Sequence, residues 1–327
     1  MALFTADWIK RSALRVNRLL DTLHKLNLVV ISKEDLVRFR GGGYGRKILF
    51  GVEGHDRLAS LLERNKPFLA ARLGAVELTA LRFYLEKRRT TGRSYPAKIR
   101  STMAHNAGFF PADDASLDAF AELFLKQLPG VDLMGVWFNQ YEDAVCNRFS
   151  PEARLVDLDC FEPFRFPNPW SSRLGEKKVL VVHPFAESIR SQYESKRETL
   201  FDDPDVLPLF ELKTLQAVQS IAGARVDFST WFDAYHHMCR QMAQIDFDIC
   251  IIGAGAYGLP LAAYAKELGK QAIHLGGVTQ ILFGIKGKRW ETEYADSTAK
   301  LFNQQWVRPL PGETPAHNER VDRGCYW

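Results

Sequence analysis

The chain has 327 residues, of which 46% are hydrophobic, so it can bury a large core and does not have the composition of a disordered chain. Its 43 Lys and Arg residues against 39 Asp and Glu give a net charge of +4, a small and dispersed excess that does not predict nucleic-acid binding. Five scattered cysteines without a C-x-x-C pair indicate neither a disulfide framework nor a zinc site. Charged residues interrupt the apolar run that a signal peptide needs, so we expect a cytosolic protein.

The first predicted element is an amphipathic helix over residues 7–25, with Lys and Arg opposite its apolar side. Such a helix packs on the protein body or a second subunit, or lies on an anionic membrane surface. The glycine-rich residues 38–47 then predict a hinge. We therefore predict an N-terminal helical arm over residues 1–48 and one main domain over residues 49–327.

Short runs rich in Val, Ile and Leu alternate with helix-length segments through the main domain. Strands are predicted within residues 66–74, 132–139, 153–159, 177–185, 224–230, 247–255 and 270–277, and helices over residues 75–89 and 113–128. The runs KVLVV and DICII do not alternate in polarity, which indicates strands covered on both faces. The sequence therefore predicts an α/β, Rossmann-like fold with a mostly parallel sheet. The best candidate for a boundary between two halves of this domain is residues 161–178.

Gly253, Gly255 and Gly258 follow a predicted strand in the G-x-G-x-x-G spacing of dinucleotide sites. The next predicted strand ends in His274, Leu275 and two glycines, where an NAD site would have an acidic residue for the ribose. A glycine turn that begins a helix still favours an anion through its backbone N–H groups and helix dipole. The alternative is that the glycines only allow the helix to pack closely on the strand.

A second glycine turn, Gly276 and Gly277, follows the next predicted strand. Ligands bind outside the carboxyl ends of strands in open α/β sheets, so both turns are expected to face one crevice. The downstream cations Lys286, Lys288 and Arg289 would neutralise a diphosphate there. The aromatic rings of Phe283 and Trp290 would stack on a base or sugar. The alternative is an ordinary solvated basic turn.

Candidate acids and bases follow other predicted strands. Arg72 ends one strand and Glu77 lies in the first turn of the next helix, where a capping role is the alternative. His183 ends another strand, with Glu187 one turn into the helix beyond it, and either can act as a base; His183 can also donate to a phosphate. Asp159 and Glu162 are further crevice candidates, whereas His236 and His237 lie in a helix and face different directions.

The segment ARLGAVEL resembles the R-x-G-D-x-E-L motif of GT-D-type glycosyltransferases, a bacterial family with a Rossmann-like domain that uses nucleotide sugars. Residues 253–277 resemble that family's C-terminal glycine turn, helix and strand, and the strings VVHPFAESIRSQY, GGVTQILFGIKGKRW and GCYW are similar to a subgroup of surface-polysaccharide proteins. Arg72, Gly74 and Glu77 match the motif, but Ala75 replaces its aspartate. The resemblance implies Mn²⁺ or Mg²⁺ on Glu77, with one hard oxygen ligand fewer than in the family.

The resemblance implies a glycosyltransferase that moves a sugar from a nucleotide-diphosphate donor to a surface polysaccharide, glycan or lipid-linked saccharide, at the inner face of the membrane or free in the cytosol. The implied base is Glu77, Glu187 or His183, and the sequence does not decide which of the three takes the proton of the acceptor hydroxyl. The expected donor-binding residues are Arg72, Gly74, Gly253, Gly255, Tyr257, Gly276, Gly277, Gln280, Lys286 and Arg289. The alternatives are an NAD-dependent oxidoreductase and a non-catalytic, nucleotide-sugar-binding scaffold subunit. The N-terminal helix would contact the membrane or form a homo-oligomer.

Overall fold

The computed structural model describes residues 41–89, 92–321 and 324–327, and its centre is one sheet of eight strands. The strands are β1 (Ile48–Leu49), β2 (Phe68–Arg72), β3 (Leu133–Val136), β4 (Arg154–Asp157), β5 (Lys178–His183), β6 (Glu211–Gln216), β7 (Ile249–Ile252) and β8 (Gln271–His274). Their order is β1-β4-β3-β2-β8-β7-β5-β6, and all paired strands are parallel. The predicted α/β class with a parallel sheet is therefore confirmed. The predicted helix over residues 7–25 lies outside the described residues.

Helices connect the strands, as parallel pairing requires. They are α1 (Gly51–Glu63), α2 (Ala75–Lys87), α3 (Ala97–His105), α4 (Asp114–Gln127), α5 (Glu142–Phe149), α6 (Ala186–Leu200), α7 (Trp231–Ala243), α8 (Gly258–Glu267), α9 (Val278–Leu282), α10 (Lys288–Thr292) and α11 (Ala295–Thr298). His236 and His237 lie inside α7, as expected. Among the described helices, none is long and apolar enough to cross a membrane.

The sheet separates two hydrophobic cores, and alternate residues of each central strand enter opposite cores. In β5, Leu180 and Val182 belong to one core and Val179 and Val181 to the other. Both sets are fully buried. This two-sided burial explains why the central strands are continuous apolar runs instead of alternating ones.

The pairing of β2 with β8 joins the N-terminal and C-terminal halves in the middle of the sheet, with Ala70 opposite Ile273. From β2 the chain moves outward through β3 to β4, whereas β7 and β8 lie on the other side. Connections therefore diverge at β2 and β8, and such a point opens a crevice beyond the strand ends. The proline-rich residues 161–178 form short 3₁₀ turns beside this one sheet.

One predicted strand is wrong. Residues 224–230 are not a strand; the edge strand is β6, whose sequence ELKTLQ is polar at four of its six positions. Because β6 pairs only with β5, its outer side is exposed and it lacks the apolar run that identified the buried strands. The two-residue strand β1, at the opposite edge, was also not predicted.

Candidate functional site

A cavity of about 660 Å³ lies across the carboxyl ends of the strands. Residues that follow seven of the eight strands line it, from the Asp157 side at β4 to the Ser220 side beyond β6. Most of the expected site residues share this one space: Arg72, Gly74, Glu77, His183, Gly253, Gly255, Tyr257, Gly276, Gly277, Gln280 and Arg289. The cavity is therefore formed where the sheet topology places a crevice.

Arg72, the last residue of β2, brings a positive charge to the middle of the cavity. Its guanidinium carbon lies 4.6 Å from the ring centre of Trp137. Its Nε is buried without a hydrogen-bond partner, and among the described residues no carboxylate is ion-paired with it. A cation that lies beside an aromatic ring and forms no ion pair with the described carboxylates is suited to an anionic ligand.

The second glycine turn makes room for that guanidinium. Gly276 has a φ of +67°, and a Cβ there would lie 3.1 Å from Nη1 of Arg72. Only glycine adopts this backbone conformation readily, and any side chain would crowd the arginine. The turn therefore lets the backbone approach the cation closely.

Glu77 lies in the first turn of α2 and is 9% exposed. A side chain at position 74 would collide with its carboxylate, so Gly74 allows the acid to fold back over the helix start. Burial raises the pKa of Glu77, and its own backbone N–H and the charge of Arg72 offset only part of that rise. A carboxylate with a raised pKa beside a cation is suited to accepting a proton.

The glycines of the G-x-G-x-x-G segment have distinct packing roles. A Cβ on Gly253 would lie 2.5 Å from the Gly276 oxygen, and one on Gly258 would collide with the imidazole of His274. Gly255 has a φ of +52°. The first and third glycines thus allow close contact with the β8 side of the sheet, and the second forms the turn.

The backbone N–H groups of this turn are largely used within the protein. The N–H of Gly253 donates to Val182, that of Ala256 to Ala107, and that of Tyr257 to Ala254. The expectation that the turn offers a set of free N–H groups to phosphate is therefore too broad. The ring of Tyr257 stacks on Trp231, with centroids 4.7 Å apart and planes 5° apart.

Two histidines at strand ends are buried and neutral. Burial lowers the pKa of His183 to about 3 and that of His274 to about 3. The backbone N–H of Phe185 donates to Nδ1 of His183 at 3.0 Å, so in the neutral ring the proton is on Nε2. His183 is therefore suited to donating a hydrogen bond into the cavity and poorly suited to being a base.

A second cation, Arg289 of α10, lines the cavity next to the C-terminal residues. Its Nη1 donates to the Tyr326 hydroxyl at 3.2 Å, and its guanidinium carbon lies 4.9 Å from that ring's centre. The side-chain amide of Gln280 donates to the backbone oxygens of Ile285 and Tyr326, both at 3.3 Å. These contacts hold Tyr326 in the cavity wall beside Trp290 and Trp327.

Four expected residues lie away from the cavity. The Glu187 carboxylate is exposed and paired with Arg190, so it does not line the cavity as the implied base would. Phe283 is fully buried in the core. Lys286 and Lys288 follow the second glycine turn but do not line the cavity either.

At the β4 side, the cavity is lined by three acidic residues, Asp157, Asp159 and Glu162, of which the sequence favoured Asp159 and Glu162. Arg165 pairs with Glu162 there. Within the described ranges, no group of three or more His, Cys, Asp or Glu side chains is arranged to hold a metal ion. Ala75 also lines the cavity, so the aspartate of the family motif is not there to act as a ligand, and binding of Mn²⁺ or Mg²⁺ by Glu77 stays a prediction from the sequence.

No motif singled out Trp137, which belongs to the predicted strand 132–139. The strand ends at Val136, and Phe138 has a φ of +63°, so the chain turns and Trp137 lines the cavity. Asn106, Gln219 and Ser220 were also missed, since they come from loops that no motif marks. The docking of the C-terminal aromatic residues was visible only as an aromatic ending, GCYW.

Two solved structures are similar to this chain. One is a selenomethionine-substituted structure of domain of unknown function 1792, with a TM-score of 0.45. The other is a structure of the same domain, described as highly conserved and as having a distinct glycosyltransferase fold, with a TM-score of 0.47. Each is 13% identical over 86% of this chain and 96% of its own. No protein-family model and no curated protein matches the chain.

Proposed function

We propose that the protein is a glycosyltransferase that takes a sugar from a nucleotide-diphosphate donor and transfers it to a hydroxyl of a glycan or lipid-linked saccharide. The observation that carries the proposal is that Arg72, which forms no ion pair with a carboxylate of the described residues, and the buried acid Glu77 line one cavity with Arg289. The volume of about 660 Å³ is within the range of sites for nucleotide-sized ligands.

Transfer breaks the bond between the anomeric carbon and the diphosphate oxygen, and forms a bond from that carbon to the acceptor oxygen. Negative charge then develops on the departing diphosphate, and Arg72 and Arg289 would stabilise it. The acceptor hydroxyl loses its proton, and Glu77 would accept it, because burial raises its pKa above that of a free glutamate. His183 would donate from Nε2 to an oxygen of the donor.

The competing NAD site has less support. The strand that follows the G-x-G-x-x-G segment ends in His274, which is buried against Gly258. A dinucleotide site also has close helix packing at this glycine, but it has a ribose-binding acidic residue beyond the glycine motif. A buried neutral histidine cannot replace a carboxylate that accepts hydrogen bonds from the ribose hydroxyls through both of its oxygens. Cytosolic placement and membrane or subunit contact by the N-terminal helix remain predictions from the sequence.

Binding and turnover of nucleotide sugars test the proposal. Thermal unfolding is measured with UDP-glucose, GDP-mannose, UDP, GDP and NAD, with and without Mn²⁺, and donor breakdown is followed with simple sugar acceptors. We expect stabilisation by a nucleotide diphosphate or its sugar and none by NAD. Arg72→Gln should weaken binding at least about 10-fold, because it removes a charged contact.

The matched control is Arg173→Gln, an arginine that pairs with Glu63 away from the cavity and should leave binding unchanged. Stabilisation by NAD alone would overturn the proposal. Binding of a nucleotide sugar without breakdown or transfer to any acceptor would instead support the scaffold alternative.

A further inference from the structure

The loop between β3 and α5, residues 137–141, has an uncommon backbone for residues that are not glycine. Phe138 has a φ of +63° and Tyr141 a φ of +73°. Bulky residues rarely adopt left-handed conformations, and they do so where surrounding contacts enforce them. The loop carries Trp137 into the cavity, so the contacts that enforce it also decide where that indole lies.

Glu142, the first residue of α5, supplies those contacts. It is 0% exposed, and its Oε2 accepts hydrogen bonds from the backbone N–H of Trp137 at 3.1 Å and of Asn139 at 3.2 Å. Two N–H groups of the loop therefore converge on one carboxylate oxygen. Burial raises the pKa of Glu142 to about 7, against the lowering by these bonds and by Arg72.

Tyr44 completes this arrangement from outside the cavity. Its hydroxyl donates to the same Oε2 at 2.7 Å, and its ring makes an edge contact with Phe138 at a centroid distance of 6.0 Å. The chain around Tyr44 is fixed on α5, since Asn147 donates to the Gly43 oxygen at 3.1 Å. Tyr44 does not line the cavity, so its effect on a ligand has to pass through Glu142 and the loop.

On the cavity side, the indole of Trp137 is held at two points. Its Nε1 donates to the Leu73 oxygen at 2.8 Å, and its ring lies 4.6 Å from the guanidinium carbon of Arg72. In a nucleotide sugar bound with its diphosphate on Arg72, a saccharide ring is attached directly to the phosphate. The flat indole beside Arg72 is the surface on which such a ring would pack.

We propose that Glu142 and Tyr44 are positioning residues, which hold Trp137 against Arg72 so that the indole forms the ligand-facing wall of the cavity. The part that concerns a nucleotide ligand rests on the proposed function. The part that concerns the position of Trp137 does not.

The test uses the full chain labelled with 5-fluorotryptophan, in which ¹⁹F NMR reports each indole and Trp137→Phe assigns one resonance. Tyr44→Phe removes one hydroxyl without changing any charge, and Glu142→Gln removes the carboxylate. The control is Tyr84→Phe, which removes another tyrosine hydroxyl that donates to a glutamate, Glu122, also at 2.7 Å. Affinity for UDP and for UDP-glucose is measured by calorimetry for the same proteins.

We expect the Trp137 resonance to move in Tyr44→Phe and Glu142→Gln but not in Tyr84→Phe. The affinity of Tyr44→Phe for UDP-glucose should fall about 3- to 10-fold, the effect of one lost hydrogen bond, and Tyr84→Phe should bind normally. An unmoved resonance in both variants would overturn the proposal, even if no nucleotide binds and the proposed function fails. A moved resonance with unchanged affinity, in a protein that does bind UDP-glucose, would overturn the link to the ligand.

Discussion

Glu313 caps the start of helix α6 at Ser188, although 125 residues separate them in the chain. Its Oε1 accepts from the Glu187 backbone N–H at 2.7 Å and its Oε2 from the Ser188 backbone N–H at 3.1 Å. The Ser188 hydroxyl also donates to this carboxylate and accepts from the Leu310 N–H at 2.9 Å. The positive end of α6 thus holds an anion that the protein itself provides.

This cap affects the candidate site in two ways. Helix α6 begins directly after His183, Pro184 and Phe185, which line the cavity, so its N-terminal N–H groups would otherwise be available to a phosphate. The backbone of Glu313 also anchors the C-terminal region, since Nε1 of Trp327 donates to its backbone oxygen at 3.3 Å. Under the proposed function, a diphosphate would therefore bind to Arg72 and Arg289, which both line the cavity, and not to the start of α6.

Replacing this cap should destabilise the protein. Glu313→Gln removes the charge and leaves an amide to face backbone donors, so we expect a loss of about 1–2 kcal/mol in the free energy of unfolding. Urea denaturation followed by circular dichroism measures it. Glu319→Gln, an exposed glutamate near the C-terminus, is the control and should change stability by less than about 0.5 kcal/mol. Equal stability of the two variants would contradict the capping role.

Glu77→Gln should abolish transfer while leaving donor binding largely intact, because the amide keeps the shape but cannot accept a proton. The rate at low donor concentration and the dissociation constant of the donor separate the two effects. Glu187→Gln is the control, since Glu187 is exposed and paired with Arg190 outside the cavity. Full activity of Glu77→Gln with loss in Glu187→Gln would reverse the assignment.

The pH dependence of stability gives an independent check on Glu77. Burial raises its pKa in the folded state, so between the unfolded and folded values the folded protein binds more protons. Stability contributed by this group therefore falls as the pH rises through that window. Glu77→Gln should flatten this part of the profile and be at least as stable as wild type at pH 8. If stability depends on pH in the same way in Glu77→Gln and in wild type, burial does not raise the pKa of Glu77 as assigned here.

His183 should act as a neutral donor over the whole working range of pH. Because burial lowers its pKa to about 3, donor binding should show no inflection near pH 6.5 that depends on His183. His183→Gln keeps an N–H donor near the Nε2 position, so its affinity for the sugar donor should be within about 3-fold of wild type. His183→Phe has no such N–H group, so its affinity should fall by the contribution of one hydrogen bond. An inflection near pH 6.5 that disappears in both variants would show a titrating histidine instead.

The buried part of the fold was predictable, because central strands covered on both faces must be apolar throughout. The edge strand β6 was not, since four of its six residues are polar, whereas residues 224–230 show a stronger β-type pattern. The positions of Arg72 and Glu77 followed from their places at a strand end and a helix start. Trp137 did not, because the left-handed turn at Phe138 depends on hydrogen bonds to Glu142 that local sequence does not reveal.

The role of the third glycine can be tested by adding one methyl group. Gly258→Ala would drive a Cβ into the buried imidazole of His274, and we expect overpacking to cost about 1–3 kcal/mol in the free energy of unfolding. Gly130→Ala is the matched control, because a Cβ there meets nothing within 4 Å. Combining Gly258→Ala with His274→Ala should cost less than the sum of the single changes, since the colliding ring is gone. Full additivity would contradict a contact between the two residues.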